Sequence, residues 1–193
     1  MAKEGGGFQY GKSQIKVPYG YEPPAQSRRG TLFIMETFED WNEEDMAALM
    51  NWANQRNFAR VVLYPQHEET LRRMSISSEA PYHARMKHLE ELAKQSAWEV
   101  PLHIDSWEGK RKKYTPMDTS LNFLTDKYHG PYFLCISDRY ANLFVTYSSF
   151  DQWIKKLRLV IMSRYHVPLN DKIAAYQDRL EVVDFQHASI LED

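Results

Sequence analysis

Residues 31–64 read TLFIMETFEDWNEEDMAALMNWANQRNFARVVLY, and the spacing of apolar residues changes twice within them. Residues 31–38 form a short, almost continuous apolar block, the pattern of a strand covered on both faces. Met46, Leu49, Met50 and Ala53 then fall at i, i+3, i+4 and i+7, which predicts a helix over about residues 43–57. Asp40, with Glu43 three residues later, is the expected capping box at its start. Residues 61–64 are a second apolar block, stopped by Pro65, which has no N–H for a ladder bond. The segment reads as a β-α-β unit.

The alternation continues outward. Tyr82, Met86, Leu89 and Ala93 share a helical face behind Pro81, a residue suited to a first turn. Residues 99–104 are an expected strand, followed by a polar loop over 105–113. Thr115, Pro116 and Asp118 open a helix carrying Met117, Leu121, Leu124 and Tyr128 on one face, with Gly130 as its expected terminator. Residues 132–137 are the most apolar strand. Ser149 and Gln152 are expected to cap a helix reaching Lys156, and strands over 157–163 and 180–185 complete the count. Strand alternating with helix predicts an α/β domain with a mainly parallel sheet and helices on both faces. Ligands of such sheets bind beyond the carboxyl ends of the strands.

Residues 1–29 stand apart. They hold a Gly5–Gly7 run, Pro18, Pro23 and Pro24, and five basic residues against two acidic ones. That composition predicts a flexible tail, whose Phe8, Tyr10, Tyr19 and Tyr21 are candidates for docking on a protein partner. The full chain has 193 residues, 43% hydrophobic, 26% charged and 13% aromatic, which bounds it to one globular domain or two at most. With 24 basic and 26 acidic residues the net charge is −2, which excludes a generic electrostatic binder of nucleic acid or membrane. No apolar run approaches the roughly 20 residues of a membrane span, and no export signal opens the chain, so a cytoplasmic location is expected. Cys135 is the one cysteine and reads as a small buried hydrophobe. The histidines show no ligand spacing, so no structural metal is expected.

Taken in order, the strand tips resemble those of the nicotinate mononucleotide adenylyltransferases, in the nucleotidyltransferase superfamily. Tyr114-Thr115-Pro116-Met117-Asp118-Thr119 is similar to the family's Y-T-x-D-T motif with one residue inserted. Ser137-Asp138 stands where the family has Gly-Ala-Asp, and Arg164 resembles its strand-ending arginine. Tyr82-His83-Ala84-Arg85-Met86 is similar to the arginine-bearing helix start after the second strand. The resemblance covers residues 30–193. It implies a Rossmann-like, doubly wound, mainly parallel sheet of five to six strands. It also implies nucleotide contacts from Thr37, Phe38, Trp107, Thr115, Asp118, Asp138, Arg164 and Ser189, and phosphate contacts from His67, Arg72 and Arg73. Several of these have plain structural alternatives: Thr115 and Asp118 as a helix cap, Trp107 as a packed aromatic, Arg164 as the partner of an acid.

The departures fall on the chemistry. Where the family has G-G-T-F-D-P-x-H-x-G-H, this chain keeps only Thr37 and Phe38 of the strand end; Met35 and Glu36 replace the glycines, and Asn42 and Asp45 replace the histidines. Glu36, Glu39, Asp40, Glu43, Glu44 and Asp45 crowd the expected helix start with no base among them. The family's closing S-S-T-x-I-R is matched only by Ser189. In-line phosphoryl transfer depends on neutralising phosphate charge, so acids here argue against it. The leading expectation is a divergent protein that binds a mononucleotide or adenine nucleotide with adenylyl transfer lost or impaired. The alternative is an active adenylyltransferase of NAD biosynthesis, with Mg2+ held by the acidic cluster. A further alternative is an interaction module whose cleft is closed by its own tail.

Overall fold

The computed structural model describes residues 28–185. Six strands form one sheet in the order β3-β2-β1-β4-β5-β6, every neighbouring pair parallel. They are β1 (Arg29–Glu36), β2 (Phe58–Pro65), β3 (Leu102–Ile104), β4 (Tyr132–Ser137), β5 (Leu157–Met162) and β6 (Leu180–Val183). The order runs outward from β1 in one direction and from β4 in the other, so the switch point lies between them. This is the parallel α/β sheet that the alternation predicts, in the Rossmann-like, doubly wound form that the resemblance implies.

Alternate residues along each strand feed two apolar layers. Leu32 and Ile34 of β1, with Val61, Leu63, Cys135 and Val160, face α1 (Glu43–Gln55) and α3 (Tyr82–Ala93), which bring Met46, Leu49, Ala53 and Leu89. Phe33 and Met35, with Tyr64, Leu134 and Ile161, face the other layer. There α2 (Glu68–Arg73), α5 (Met117–Lys127), α6 (Asp138–Phe144) and α7 (Phe150–Lys156) bring Leu71, Leu121, Phe144 and Trp153. Burying each such side chain contributes roughly 1.5–3 kcal/mol. Gly30 marks where β1 passes the entrance of β4: a Cβ there would sit 1.9 Å from the Pro131 carbonyl oxygen.

Several local expectations are corrected. β1 opens at Arg29, inside the expected tail, and ends at Glu36; Thr37 and Phe38 leave the sheet, Phe38 at a φ of 60° with its ring buried against Trp41. β2 begins earlier, at Phe58, and includes Pro65 as its last residue. The box that caps α1 is Asn42 with Asp45, not Asp40 with Glu43: each side chain accepts from the other's backbone N–H at 2.9 Å. β3 is shorter than expected, because Pro101 precedes it and has no N–H to pair. The polar loop holds a short helix, α4 (Trp107–Arg111). Gly130 does not terminate α5, which stops at Tyr128 in extended conformation. The Ser149 side chain makes no cap bond on α7; its carbonyl oxygen accepts from Gln152 instead. A 3-10 segment (Asp171–Arg179) leads into β6, which ends at Val183. The expected tail up to residue 27 and the Ser189 position lie outside the described residues.

Candidate functional site

The switch point between β1 and β4 is filled by side chains. Glu36, fully buried at the end of β1, accepts a hydrogen bond from the Tyr165 hydroxyl at 3.2 Å through Oε1. Arg139 donates to the Tyr165 oxygen at 3.1 Å and stacks on its ring at 4.0 Å. Asp138, the first residue of α6, is buried and accepts backbone N–H groups from Arg139, Tyr165 and Val167. Its carboxylate is thus occupied in pinning the loop after β5. Burial raises the Glu36 carboxyl to about 7, against the pull of Arg139 and of the Tyr165 hydrogen bond. Glu36 Oε2, Ser137 Oγ and the Tyr140 hydroxyl are buried there with no hydrogen-bond partner among the described residues.

Beside it, the start of α1 has a base after all. Arg164 forks onto Asp45, Nη1 to Oδ1 at 3.0 Å and Nη2 to Oδ2 at 3.2 Å, and its Nη2 lies 3.4 Å from Asp40 Oδ1. Its guanidinium also lies 5.1 Å from the centre of the buried Trp41 ring. Bidentate pairing of this kind is among the stronger charge-assisted contacts. Asn42 and Asp45, at the histidine positions of the resemblance, therefore serve as a cap and as the ligand of an arginine.

The remaining acids of that stretch diverge. Glu39 Oε1 accepts from the backbone of Glu79 and Ala80, and Glu43 accepts from Gln95. No three His, Cys, Asp or Glu side chains among the described residues come together as a metal site. Asp40 and Asp45 are engaged by Arg164, and Glu39 and Glu43 by backbone and amide donors, so these carboxylates already have partners.

A cleft of about 380 Å3 opens instead at the start of α5, between α2 and the α6–α7 turn. Its wall includes Gln66, Met74, Tyr114, Thr115, Asp118 and Tyr147. Gln66 follows β2 and is buried; its carbonyl oxygen receives Arg85 at 2.7 Å, while its side-chain Oε1 has no partner among the described residues. The first N–H groups of α5 have no intrahelical acceptor and face this end of the helix. Thr115 is buried, its N–H donated to Thr70 and its hydroxyl accepting from Arg111. Asp118 Oδ1 accepts from Trp153 Nε1 at 2.8 Å. Behind the cleft, buried Glu108 receives the His67 N–H at 3.0 Å, and burial raises its carboxyl to about 7.

Thr115 and Asp118 thus share one cleft, while Asp138, Arg164 and Glu36 share another centre. Thr37 and Phe38 are buried behind the second: the Thr37 carbonyl receives Arg85 Nη1 at 2.9 Å. Trp107 is stacked on Phe123 at 4.0 Å with the Arg111 guanidinium 4.8 Å from its ring centre, a packed aromatic. His67 caps α2, its Nδ1 accepting from Glu69; Arg72 pairs with Glu69, and Arg73 lies over the Tyr114 ring. Gln66 belongs to the strand tip at 65–67, one of the places where the apolar pattern directs a search for a ligand. Arg139, Tyr147 and Tyr165 carry no local signal and emerge only from the fold. The fully buried Arg85, which ties Thr37, Gln66 and Ala80 together through their carbonyl groups, is the least expected position for a charge.

No family model matches the chain, and no curated protein matches its sequence. Solved structures do match. The nicotinic acid mononucleotide adenylyltransferase of Plasmodium falciparum, solved in complex with NaAD, superposes with a TM-score of 0.61 at 10% identity, over 81% of this chain and 75% of that one. The similarity is one of fold, a Rossmann-like parallel α/β sheet.

Proposed function

We propose that this chain binds a mononucleotide-sized ligand through its base in the cleft at the start of α5, and that it does not transfer adenylyl groups. The observation that carries the second half is the Arg164 fork on Asp45, with Asp40 Oδ1 3.4 Å from the same guanidinium. Transfer needs donors free to meet phosphate oxygens as charge develops. Here the one strong donor at the helix start is committed to carboxylates. The unpartnered Gln66 Oε1, the flat Tyr114 and Tyr147 rings and the open start of α5 support binding of a planar heterocycle with a hydrogen-bonding edge.

The switch-point crevice favours a second reading in part. Trp41 and Tyr165 occupy it, as an interaction module with a closed crevice requires. The open cleft favours the binding reading. Calorimetric titration with nicotinate mononucleotide and with adenosine, paired with a dinucleotide assay in Mg-ATP, tests both. Heat of binding that disappears in Gln66→Leu, without product, is the expected result. Turnover on the order of 1 s⁻¹, ordinary for an enzyme, overturns the loss of transfer. No binding by either compound leaves the interaction module as the better account.

A further inference from the structure

At the amino edge of the sheet, opposite both centres described above, lies a cavity of about 250 Å3 walled by Arg29, Arg56, Arg158 and Arg179. Its acids are Asp178 and Glu181, so four arginines line it against two acids. The strand starts place them: Arg29 opens β1, Arg158 is the second residue of β5, Arg179 directly precedes β6, and Arg56 caps the end of α1.

Two of the four have evident structural partners. Arg56 bonds Glu181 at 2.5 Å, and Arg179 donates to the carbonyl groups of Ile154, Lys155 and Leu157, closing the end of α7. The other two are less well matched. Arg29 lies with its guanidinium 4.9 Å from the Phe133 ring centre and 5.8 Å from that of Phe58. Ring stacking uses the face of the group and leaves its N–H donors at the edge unspent. The Arg29 side chain makes no hydrogen bond or ion pair among the described residues. Arg158 makes one long contact, Nη1 to the Asp178 carbonyl oxygen at 3.4 Å. Arginine cannot relieve such crowding by losing its proton, so an excess of two positive charges persists at any working pH.

We propose that this cavity binds the phosphoryl group of a small molecule, a phosphate monoester or a pyrophosphate. A phosphate monoester carries about −1.5 to −2 charges at neutral pH, which matches the excess. Its oxygens accept the paired N–H groups of a guanidinium fork, and with three of them it can meet more than one arginine at once, where a carboxylate occupies a single fork. The cavity is smaller than the roughly 300 Å3 at which drug-sized pockets begin, so the ligand is small. None of these residues belongs to the α5 cleft, and the proposal stands whether or not that cleft binds a nucleotide.

Pyrophosphate, titrated calorimetrically into the full chain at about 50 and 200 mM NaCl, is the probe. One site is expected, weaker at higher salt, with affinity lowered about tenfold in Arg158→Gln and again in Arg29→Gln. Arg158→Lys keeps the charge and loses the fork; affinity intermediate between wild type and Arg158→Gln supports the geometry, and it serves as the test if Arg158→Gln does not fold. Lys87→Gln, exposed on α3 and outside the cavity, is expected to bind like wild type. Loss of binding in Arg72→Gln, on α2 at the other end of the sheet, with none in Arg158→Gln overturns the proposal. So does citrate binding as tightly as pyrophosphate, or no heat from pyrophosphate at the lower salt.

Discussion

At Glu36 the burial of one carboxyl has a consequence in pH. Desolvation raises it from 4.5 to about 7, and Arg139, Tyr165 and Arg164 only partly oppose this. The folded state therefore holds a proton that the unfolded chain releases between those values. Stability is unpenalised below about pH 4.5, falls as pH rises through the window up to about 7, and stays reduced above it. The penalty is about 3 kcal/mol at one pKa unit per 1.36 kcal/mol. Glu36→Gln keeps an acceptor for Tyr165 and removes the ionisation. We expect it to be more stable than wild type by about 2–3 kcal/mol at pH 8 and equal to it near pH 4, in urea unfolding at both. Glu108 titrates in the same window with the same sign, so a residual slope will persist in the variant. Arg164 tests the neighbouring charge balance. Its side chain is 13% exposed, as is that of Asp45. Arg164→Met should cost about 3 kcal/mol, because it leaves Asp45 poorly compensated beside Asp40. Asp45→Asn should cost clearly less in that background than alone. Additive losses in the double-mutant cycle would show that the fork contributes nothing.

Among the elements, α1 shows both what local sequence determines and where it misleads. Its apolar face follows from the i, i+3, i+4 spacing, and its first residue was read correctly at Glu43. The cap was not, since residues 40–45 offer two boxes of the right spacing, Asp40 with Glu43 and Asn42 with Asp45, and only packing chooses. Burial of Trp41 against Phe38 leaves Asn42 extended at the N-cap and sends Asp40 to Arg164. Asn42→Ala should therefore cost about 1 kcal/mol in thermal or urea unfolding, and Glu43→Ala within about 0.5. A larger loss at Glu43 would return the cap to the expected pair. The strands were legible because runs such as Phe133-Leu134-Cys135-Ile136 are buried on both faces of a parallel sheet. The helices α2, α4 and α6 were not, because five to seven residues hold too few turns to display a helical period. Half of the candidate site was legible for a related reason. Thr115 and Asp118 sit in a motif contiguous in sequence, whereas the Glu36–Tyr165–Arg139 centre joins three elements that only the sheet order brings together.

The two edges of the sheet carry different charge clusters, although the net is only −2. Glu36, Glu39, Asp40, Asp45 and Asp138 gather at the carboxyl edge, where a Rossmann-like sheet receives its ligand, with Arg139 and Arg164 among them; Arg29, Arg56, Arg158 and Arg179 gather at the amino edge against Asp178 and Glu181. With a phosphoryl site at the amino edge, as proposed, a triphosphate is drawn to the end remote from the crevice. Like charges about 8 Å apart in water repel by roughly 0.5 kcal/mol, and Arg164 neutralises only part of the acidic set. A few uncompensated pairs sum to about 1–2 kcal/mol, roughly tenfold in affinity. Titrating Arg158→Gln separates the ends, because it weakens the amino-edge site and leaves the α5 cleft intact. In that variant adenosine should bind about tenfold more tightly than magnesium-free ATP, with AMP between them, and added salt should narrow the difference by screening. In wild type ATP should gain a second, salt-sensitive component that adenosine lacks. If ATP instead binds Arg158→Gln most tightly, and more weakly as salt rises, then Arg72 or Arg73 of α2, or Lys110 in the last turn of α4, reaches the phosphates at the carboxyl edge. The acidic helix start would then be no barrier to a triphosphate, and loss of transfer would need a different cause.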